Sequence, residues 1–458
     1  MNLLFSLTTK PTIVKKPHTV ALESVGVVVA ATRKPFPNIK QKLRLASSTL
    51  ICTGLPAISF AEAQDLDVKA TSVYYFEEEG INVKENVIRA KKEIGDESFV
   101  SATYIIDVMS GPSPTGAATL NQPQTFTTPS GSNIVIPSGE RPRLEFKDTR
   151  QAILLNYSRP INALLKTQIG VSYSTEEDYE SVGLSTVFLY DTNQKHTTFE
   201  TGISANYDNI TPVGGTPNTL ASTQMATTTG VNNKRKIDGL LGVTQILNRF
   251  SLIQANLTLS HSNGYHTDPY KMFSLLDSDL NPIPTHSYFR EKRPDTRNTS
   301  ILYLRHILNL SQNTFNTRFR FFKDDWDINS YTLDSLYTYE FSNNQQIQLH
   351  GRYYLQSRAK FYHPYIATGY GNDIEDRDVI LINTSNPLSL ENNIDYVSAD
   401  SRLSHFYSYT LGIKYSKRFS QFDSKLDIRL DHIRQYEKKS GASLLRAWIA
   451  QIAIKLLY

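Results

Sequence analysis

Phe315-Asn316-Thr317-Arg318-Phe319-Arg320-Phe321 puts Phe315, Thr317, Phe319 and Phe321 on one face of an extended chain and Asn316, Arg318 and Arg320 on the other. Successive side chains of a strand point to opposite faces, so this period of two marks a strand with one apolar and one wet side. The pattern recurs: Leu426, Ile428 and Leu430 oppose Lys425, Asp427, Arg429 and Asp431, and Ile347, Leu349 and Tyr353 oppose Gln348, His350 and Arg352. Leu165, Ile169, Val171 and Tyr173 likewise oppose Lys166, Gln168 and Ser172, while Tyr407, Tyr409, Leu411, Ile413 and Tyr415 oppose Ser408, Thr410 and Lys414. From Gln64 onward no long helical periodicity appears.

Working outward, such segments fall at residues 67–77, 81–94, 98–109, 145–158, 163–175, 179–191, 196–208, 236–247, 250–261, 296–308, 314–323, 328–341, 345–356, 406–418, 422–435 and 443–458, about 16 strands. Connections after the even-numbered strands are short and carry turn residues such as Gly95-Asp96, Asp191-Thr192-Asn193 and Ser342-Asn343-Asn344. Those after the third, seventh, ninth and thirteenth run about 28 to 50 residues. Short turns at one end and long loops at the other predict an all-β fold, a transmembrane antiparallel up-and-down β-barrel with periplasmic turns and extracellular loops. Tyr and Phe near strand ends are expected to form girdles at the two interfaces. A soluble sandwich would also alternate, but gives no reason for long loops at one end only.

Composition agrees. With 20% charged residues and a mean hydropathy of -0.35 over 458 residues, a bundle of membrane helices is excluded. A single Cys leaves no disulfide scaffold or thiolate metal site, and 11% aromatic residues argue against disorder. Residues 1–63 hold eight of the 48 basic and two of the 44 acidic residues, so the body is near neutral and nothing points to nucleic acid.

Residues 1–63 read as an N-terminal extension and cleavable signal peptide, residues 64–458 as one barrel domain. Lys40, Lys42 and Arg44 precede an apolar stretch from Leu45 to Phe60, and Ala61-Glu62-Ala63 matches the small-x-small cleavage rule. Ile51 before Cys52 lacks the small residue of a lipoprotein signal. At the other end Trp448, Ala450, Ile452, Ile454, Leu456 and Tyr458 share one face. A terminal strand ending on an aromatic resembles the signal read by the barrel-assembly machinery, so export to the outer membrane of a Gram-negative cell is expected, with lipid and lipopolysaccharide as surroundings. A homo-oligomer would be analogous to porins.

A family resemblance rests on Asp107, Ser110-Gly111-Pro112-Ser113-Pro114-Thr115-Gly116-Ala117, Lys147-Asp148-Thr149-Arg150, Tyr173-Ser174-Thr175-Glu176-Glu177-Asp178-Tyr179 and Gly242-Val243-Thr244-Gln245-Ile246-Leu247-Asn248. Its most specific stretches are Gly264-Tyr265-His266-Thr267-Asp268-Pro269-Tyr270-Lys271, Glu291-Lys292-Arg293-Pro294-Asp295-Thr296-Arg297 and Asp324-Asp325-Trp326. Over nearly the whole mature chain the sequence resembles domain-of-unknown-function (DUF) family 3570, predicted outer-membrane proteins. The resemblance implies location and architecture and carries no catalytic residues.

Two sets of residues are candidates for function. Lys166, Arg318, Arg320, Arg352, Lys414, Lys425 and Arg429, with Asp427 and Asp431, are expected to line the lumen. Asp107, Asp148, Arg150, Glu176, Glu177, Asp178, Asp268, Arg293, Asp295, Arg297, Asp324, Asp325 and Asp327 would form a mixed-charge belt at the extracellular rim. The belt reads first as carboxylates and guanidiniums pairing to pin loops. Its alternatives are a bridging-cation site at Asp324, Asp325 and Asp327, or a selectivity constriction. His261, His266, His286, His306 and His350 lack a nucleophile elbow and metal spacing, so neither an enzyme nor a cofactor or metal is expected. The resulting expectation is a porin-like passive channel or transporter for small polar solutes. A plugged surface scaffold or adhesion barrel is the alternative, and a membrane hydrolase is the weakest reading.

Overall fold

In the computed structural model, described residues are 66–457 apart from 79, 96, 120–122, 128–132, 141, 224–226, 229, 278–287, 364, 369–378, 383–389, 391–393, 421–422, 439–440 and 442. The expected signal segment with Lys40, Cys52 and Ala63, the expected start at Gln64, His286 and the terminal Tyr458 lie outside them.

Sixteen strands close into one barrel. They are β1 Leu66–Glu77, β2 Asn82–Glu93, β3 Phe99–Pro114, β4 Arg143–Pro160, β5 Leu165–Thr175, β6 Tyr179–Thr192, β7 Thr197–Ile210 and β8 Asn232–Asn248. The second half comprises β9 Ser251–Gly264, β10 Thr296–Leu310, β11 Asn313–Asp324, β12 Asn329–Ser342, β13 Gln345–Gln356, β14 Phe406–Phe419, β15 Ser424–Glu437 and β16 Ser443–Leu457. Every strand pairs antiparallel with its sequence neighbour, and β1 pairs with β16 to close the ring. The all-β, up-and-down expectation therefore holds, and closure leaves no barrel edge unpaired.

The outward face is apolar and uncovered: Leu411, Leu241 and Leu184 are 64%, 60% and 59% exposed in mid-strand. Such a surface is stable facing lipid. Aromatic side chains ring it at both ends. Tyr74, Phe76, Tyr173, Tyr207, Tyr331 and Tyr353 stand exposed toward the loop end, and Tyr190, Phe199, Phe315, Tyr339, Phe341 and Phe419 toward the turn end. Among the described residues no helix is long and apolar enough to cross a membrane.

Two boundaries differ most from expectation. β3 continues to Pro114, through Ser110-Gly111-Pro112-Ser113, past the expected end at residue 109. Pairing with β2 stops at Asn82 opposite Ser110, while pairing with β4 runs on to Arg143. Pro112 and Pro114 thus occupy a stretch with one ladder only, where a missing amide donor is tolerated. Gly111, at φ +126, sits against the β1–β2 turn, where a Cβ would lie 2.6 Å from the Gly80 carbonyl oxygen. The other difference is the seventh connection, which spans only residues 211–231. β8 starts at Asn232 because backbone pairing to β7 continues through Asn233 and Arg235, whose polar outward side chains break the sequence pattern.

The long loops are built rather than loose. Residues Gln124–Thr127 pair with Asn133–Ile136. Strands Tyr288–Arg290, Met272–Leu276, Tyr365–Thr368 and Val379–Ile382 form a four-stranded sheet from the β9–β10 and β13–β14 connections.

Candidate functional site

The inward faces carry the polar half of each alternation. On β9, Gln254, Asn256, Thr258, Ser260 and Ser262 are buried inside, while Ile253, Leu257 and Leu259 point out. By the same alternation Arg318 and Arg320 on β11, Arg352 on β13, Lys414 on β14 and Lys425, Asp427, Arg429 and Asp431 on β15 face the interior. Lys166 also lies on the inner face of β5, but at its turn end, where its Nζ is 2.9 Å from Glu97 in the β2–β3 turn.

Register draws several of these into one network. His350 of β13 stands opposite Gly412 of β14, which stands opposite Asp431 of β15. Glycine there is a steric requirement: a Cβ on Gly412 would fall 1.7 Å from Asp431 Oδ1. Across that gap His350 Nδ1 lies 3.0 Å from Asp431 Oδ1, and its Nε2 lies 3.3 Å from Asp334 Oδ2. Arg318 holds the far side, Nη2 to Asp334 Oδ1 at 2.6 Å. Arg429 closes the near side, with Nε 2.6 Å from Asp431 Oδ2 and Nη2 2.8 Å from His350 Nδ1. An imidazole between two carboxylates, each with a guanidinium, spans β11 to β15. Asp334 escapes sequence reading because β12 is named there only as a strand; His350 is visible there as a polar-face residue, but its partners are not.

The loop end is occupied by a cap. Lumen-facing Ile301 of β10 and Phe322 of β11 pack with Trp326, Ile328, Ala359, Phe361, Tyr362 and Leu403, so the β13–β14 connection folds into the mouth. Above this, Leu220, Phe273, Leu275, Phe289, Ile366, Leu390, Ile394, Val397 and Ala399, drawn from three loops, form a second core. Tyr270 knits the loops together, its hydroxyl donating to Asp178 Oδ2 and accepting from the Val213 amide, each at 2.9 Å.

The belt residues mostly pair within this assembly. Arg293 Nε lies 2.6 Å from Glu291 Oε1 and Nη2 3.0 Å from Asp400 Oδ2, while Arg402 reaches Asp268 at 3.0 Å. Burial disfavours the Asp400 carboxylate, but Arg402, Lys271 and Arg293 outweigh it and hold the group well below the usual range. Burial lowers the Lys271 ammonium to about 8 against the pull of Asp400. Arg297 Nη2 lies 2.6 Å from Asp324 Oδ2, and Asp324 Oδ1 accepts from the Trp326 and Ile328 amides. Asp324 is therefore committed to the β11–β12 turn and to Arg297, which removes the first ligand of an Asp324, Asp325 and Asp327 cation site. Asp325 accepts from Asn298 Nδ2 at 2.8 Å, and Asp295 and Asp327 are exposed at the rim.

Asp107, Asp148 and Arg150 belong to the barrel wall itself, with Asp148 and Arg150 at its loop side beside Glu176. They lie on the inner faces of β3 and β4, and Asp107 is 0% exposed, well before the loop end of β3. Arg150 Nε is 2.6 Å from Asp107 Oδ2. β3 runs on to Pro114, past the stretch its alternation marks, so Asp107 stands within the wall and not at its edge. Asp148, Glu176 and Asp178 bring carboxylate oxygens within 4.8 Å of one another, a geometry that could hold a metal ion, beside the Arg150 guanidinium.

Among the described residues two serine–imidazole contacts stand out. Ser262 Oγ is 2.9 Å from His266 Nε2, but His266 Nδ1 faces the Gly264 carbonyl at 2.8 Å and both residues are buried. The other, Ser251 Oγ to His306 Nε2 at 2.8 Å, is on the outward face.

Residues 40–449 match the family described as "Protein of unknown function (DUF3570)". No curated protein matches by sequence. Among solved structures, the outer membrane protein opdK from Pseudomonas aeruginosa is similar over 87% of this chain and 100% of its own, at 10% identity and a TM-score of 0.39. A BenF-like porin from Pseudomonas fluorescens Pf-5 is similar over 87% and 100%, at 9% identity and 0.39. A mutant ferric enterobactin receptor from Pseudomonas aeruginosa is similar over 84% of this chain and 55% of its own, at 8% identity and 0.40.

Proposed function

The chain belongs to the DUF3570 family, and from that premise we propose that it is a porin-like conduit for small polar solutes in the outer membrane of a Gram-negative cell. The observation that carries the reading is the division of the barrel wall: apolar side chains outside, and inside a polar face with the Arg318–Asp334–His350–Asp431–Arg429 network. A closed barrel needs only hydrophobic packing to stand in lipid; a charged, cross-linked interior costs desolvation and suits polar passage. The seated cap makes the conduit a narrowed one, in which solute passes when the cap shifts or through gaps beside it. In this reading the chain is exported by its signal segment, folded by the barrel-assembly machinery through β16, and non-catalytic.

A second reading, a plugged barrel that serves as a surface scaffold, is favoured by one observation, the apolar seating of Trp326 and Phe361 against Ile301 and Phe322. Planar-bilayer recording on the refolded mature chain separates the two, with heat-modifiable gel mobility verifying folding. The conduit reading expects conducting steps that grow when Trp326→Ala loosens the cap. A folded barrel silent in both forms overturns it and leaves the scaffold.

A further inference from the structure

The turn end of the lumen holds an arrangement that the conduit reading leaves unexplained. Cross-strand register sets Arg418 of β14 opposite Lys425 of β15, Lys425 opposite Lys455 of β16, Lys455 opposite Lys69 of β1, and Lys69 opposite Arg89 of β2. All five lie on the inward side of their strands. Residues in direct register have Cβ atoms about 4.5–5.5 Å apart, and like charges so placed destabilise a sheet. Five consecutive cations in one row are therefore an arrangement with a cost.

Neighbouring carboxylates offset part of it. Asp423 lies 2.7 Å from Arg418, Asp427 3.3 Å from Lys425 and Asp67 3.1 Å from Lys455. Lys91, Lys414 and Arg429 add three cations and Glu93 and Asp431 two carboxylates, giving eight cations against five carboxylates among the described residues. Lys69 itself feels Lys425, Lys455 and Arg89 against Asp427. Part of the row is reachable: the Arg418, Lys425 and Lys455 side chains keep 27%, 16% and 21% exposure, while Lys69 and Arg89 are buried beside them.

We propose that this row is an anion-binding surface at the periplasmic mouth of the lumen, which selects small solutes carrying carboxylate or phosphate groups. An anion seated across β14–β16 and β1 would relieve the like-charge row and accept charge-assisted hydrogen bonds from several ammonium and guanidinium groups together. The inference rests on the conduit reading for its role in transport, but binding itself does not require an open lumen.

The test therefore has two readouts on the refolded mature chain. Titration calorimetry in detergent, with inorganic phosphate and succinate as probes, measures binding; the reversal potential under a salt gradient measures selectivity. Expected are binding of at least one probe, an anion-favouring reversal potential, and a loss of at least about tenfold in affinity in Lys69→Gln/Lys455→Gln. Lys69→Arg/Lys455→Arg should retain binding, which separates loss of charge from misfolding, and outward-facing Lys323→Gln should match the parent. Binding with a silent bilayer would sustain the row and overturn the conduit. Conduction without anion preference and without probe binding would overturn the row and sustain the conduit. Equal affinity in the Gln and parent proteins would overturn the row outright.

Discussion

At the scale of single residues, two positions decide local structure without being prominent in the sequence. Gly412 is one of 22 glycines, yet it alone lets His350 and Asp431 meet over β14. Gly412→Ala is expected to cost about 1–3 kcal/mol through forced displacement of Asp431, read as a lower urea midpoint of the folded barrel in lipid, whereas Gly351→Ala, with open space at its Cβ, should be near neutral. His266 is the second. Burial, with Lys234, Arg297 and Arg293 adding, lowers its imidazole from 6.5 to about 3, against a backbone hydrogen bond to Gly264 that works the other way. A released His266 takes up a proton as pH falls through about 6.5, while the seated one stays neutral down to about 3. Cap seating is therefore complete above that upper value and weakens below it, by about 1.4 kcal/mol per pH unit. Trp326, whose ring lies 5.7 Å from the imidazole, reports the change. In a Trp448→Phe background its emission should shift between pH 7 and pH 4, about the window of that titration, and the shift should vanish in His266→Gln.

At the scale of elements, strands were legible and loop structure was not. Alternation marks the barrel strands because every one is two-faced, and the Phe315–Phe321 stretch needs no neighbour to declare itself. In the sheet formed by Met272–Leu276, Tyr288–Arg290, Tyr365–Thr368 and Val379–Ile382, the strand Met272–Leu276 is buried on both sides, so it reads as a short apolar run without period. Its pairing partners also come from different connections, which local patterns cannot supply. The pairing of belt charges was anticipated as a class, while the particular forks, Arg297 with Asp324 and Arg293 with Glu291 and Asp400, required the folded loops. Because the cap is a packed element, Trp326→Ala should cost about 3–5 kcal/mol of cap stability. Limited proteolysis should then cut the β13–β14 connection faster, while heat-modifiable mobility of the barrel stays as in the parent.

At the scale of the whole molecule, lipid is the second solvent on which the design depends. Leu241→Arg places a guanidinium on the outward face of β8 in mid-strand, and is expected to cost about 2–4 kcal/mol of folding free energy in bilayers. Thr258→Ser on the inward face of β9 should cost far less. Comparison of refolding yields in vesicles checks the contrast, and equal yields would contradict the assignment of faces. The amino-acid sequence by itself determined the all-β class, the strand number, the alternation of short turns with long loops and the inward or outward sense of the side chains in the alternating stretches. These follow from a period of two and from turn chemistry, both of which are local. Only the tertiary structure decided that the loops enter the mouth, that Asp107 and Arg150 pair inside the wall, and that five cations stand in one row. Each depends on cross-strand register and closure, where residues far apart in sequence are brought together by the ring as a whole.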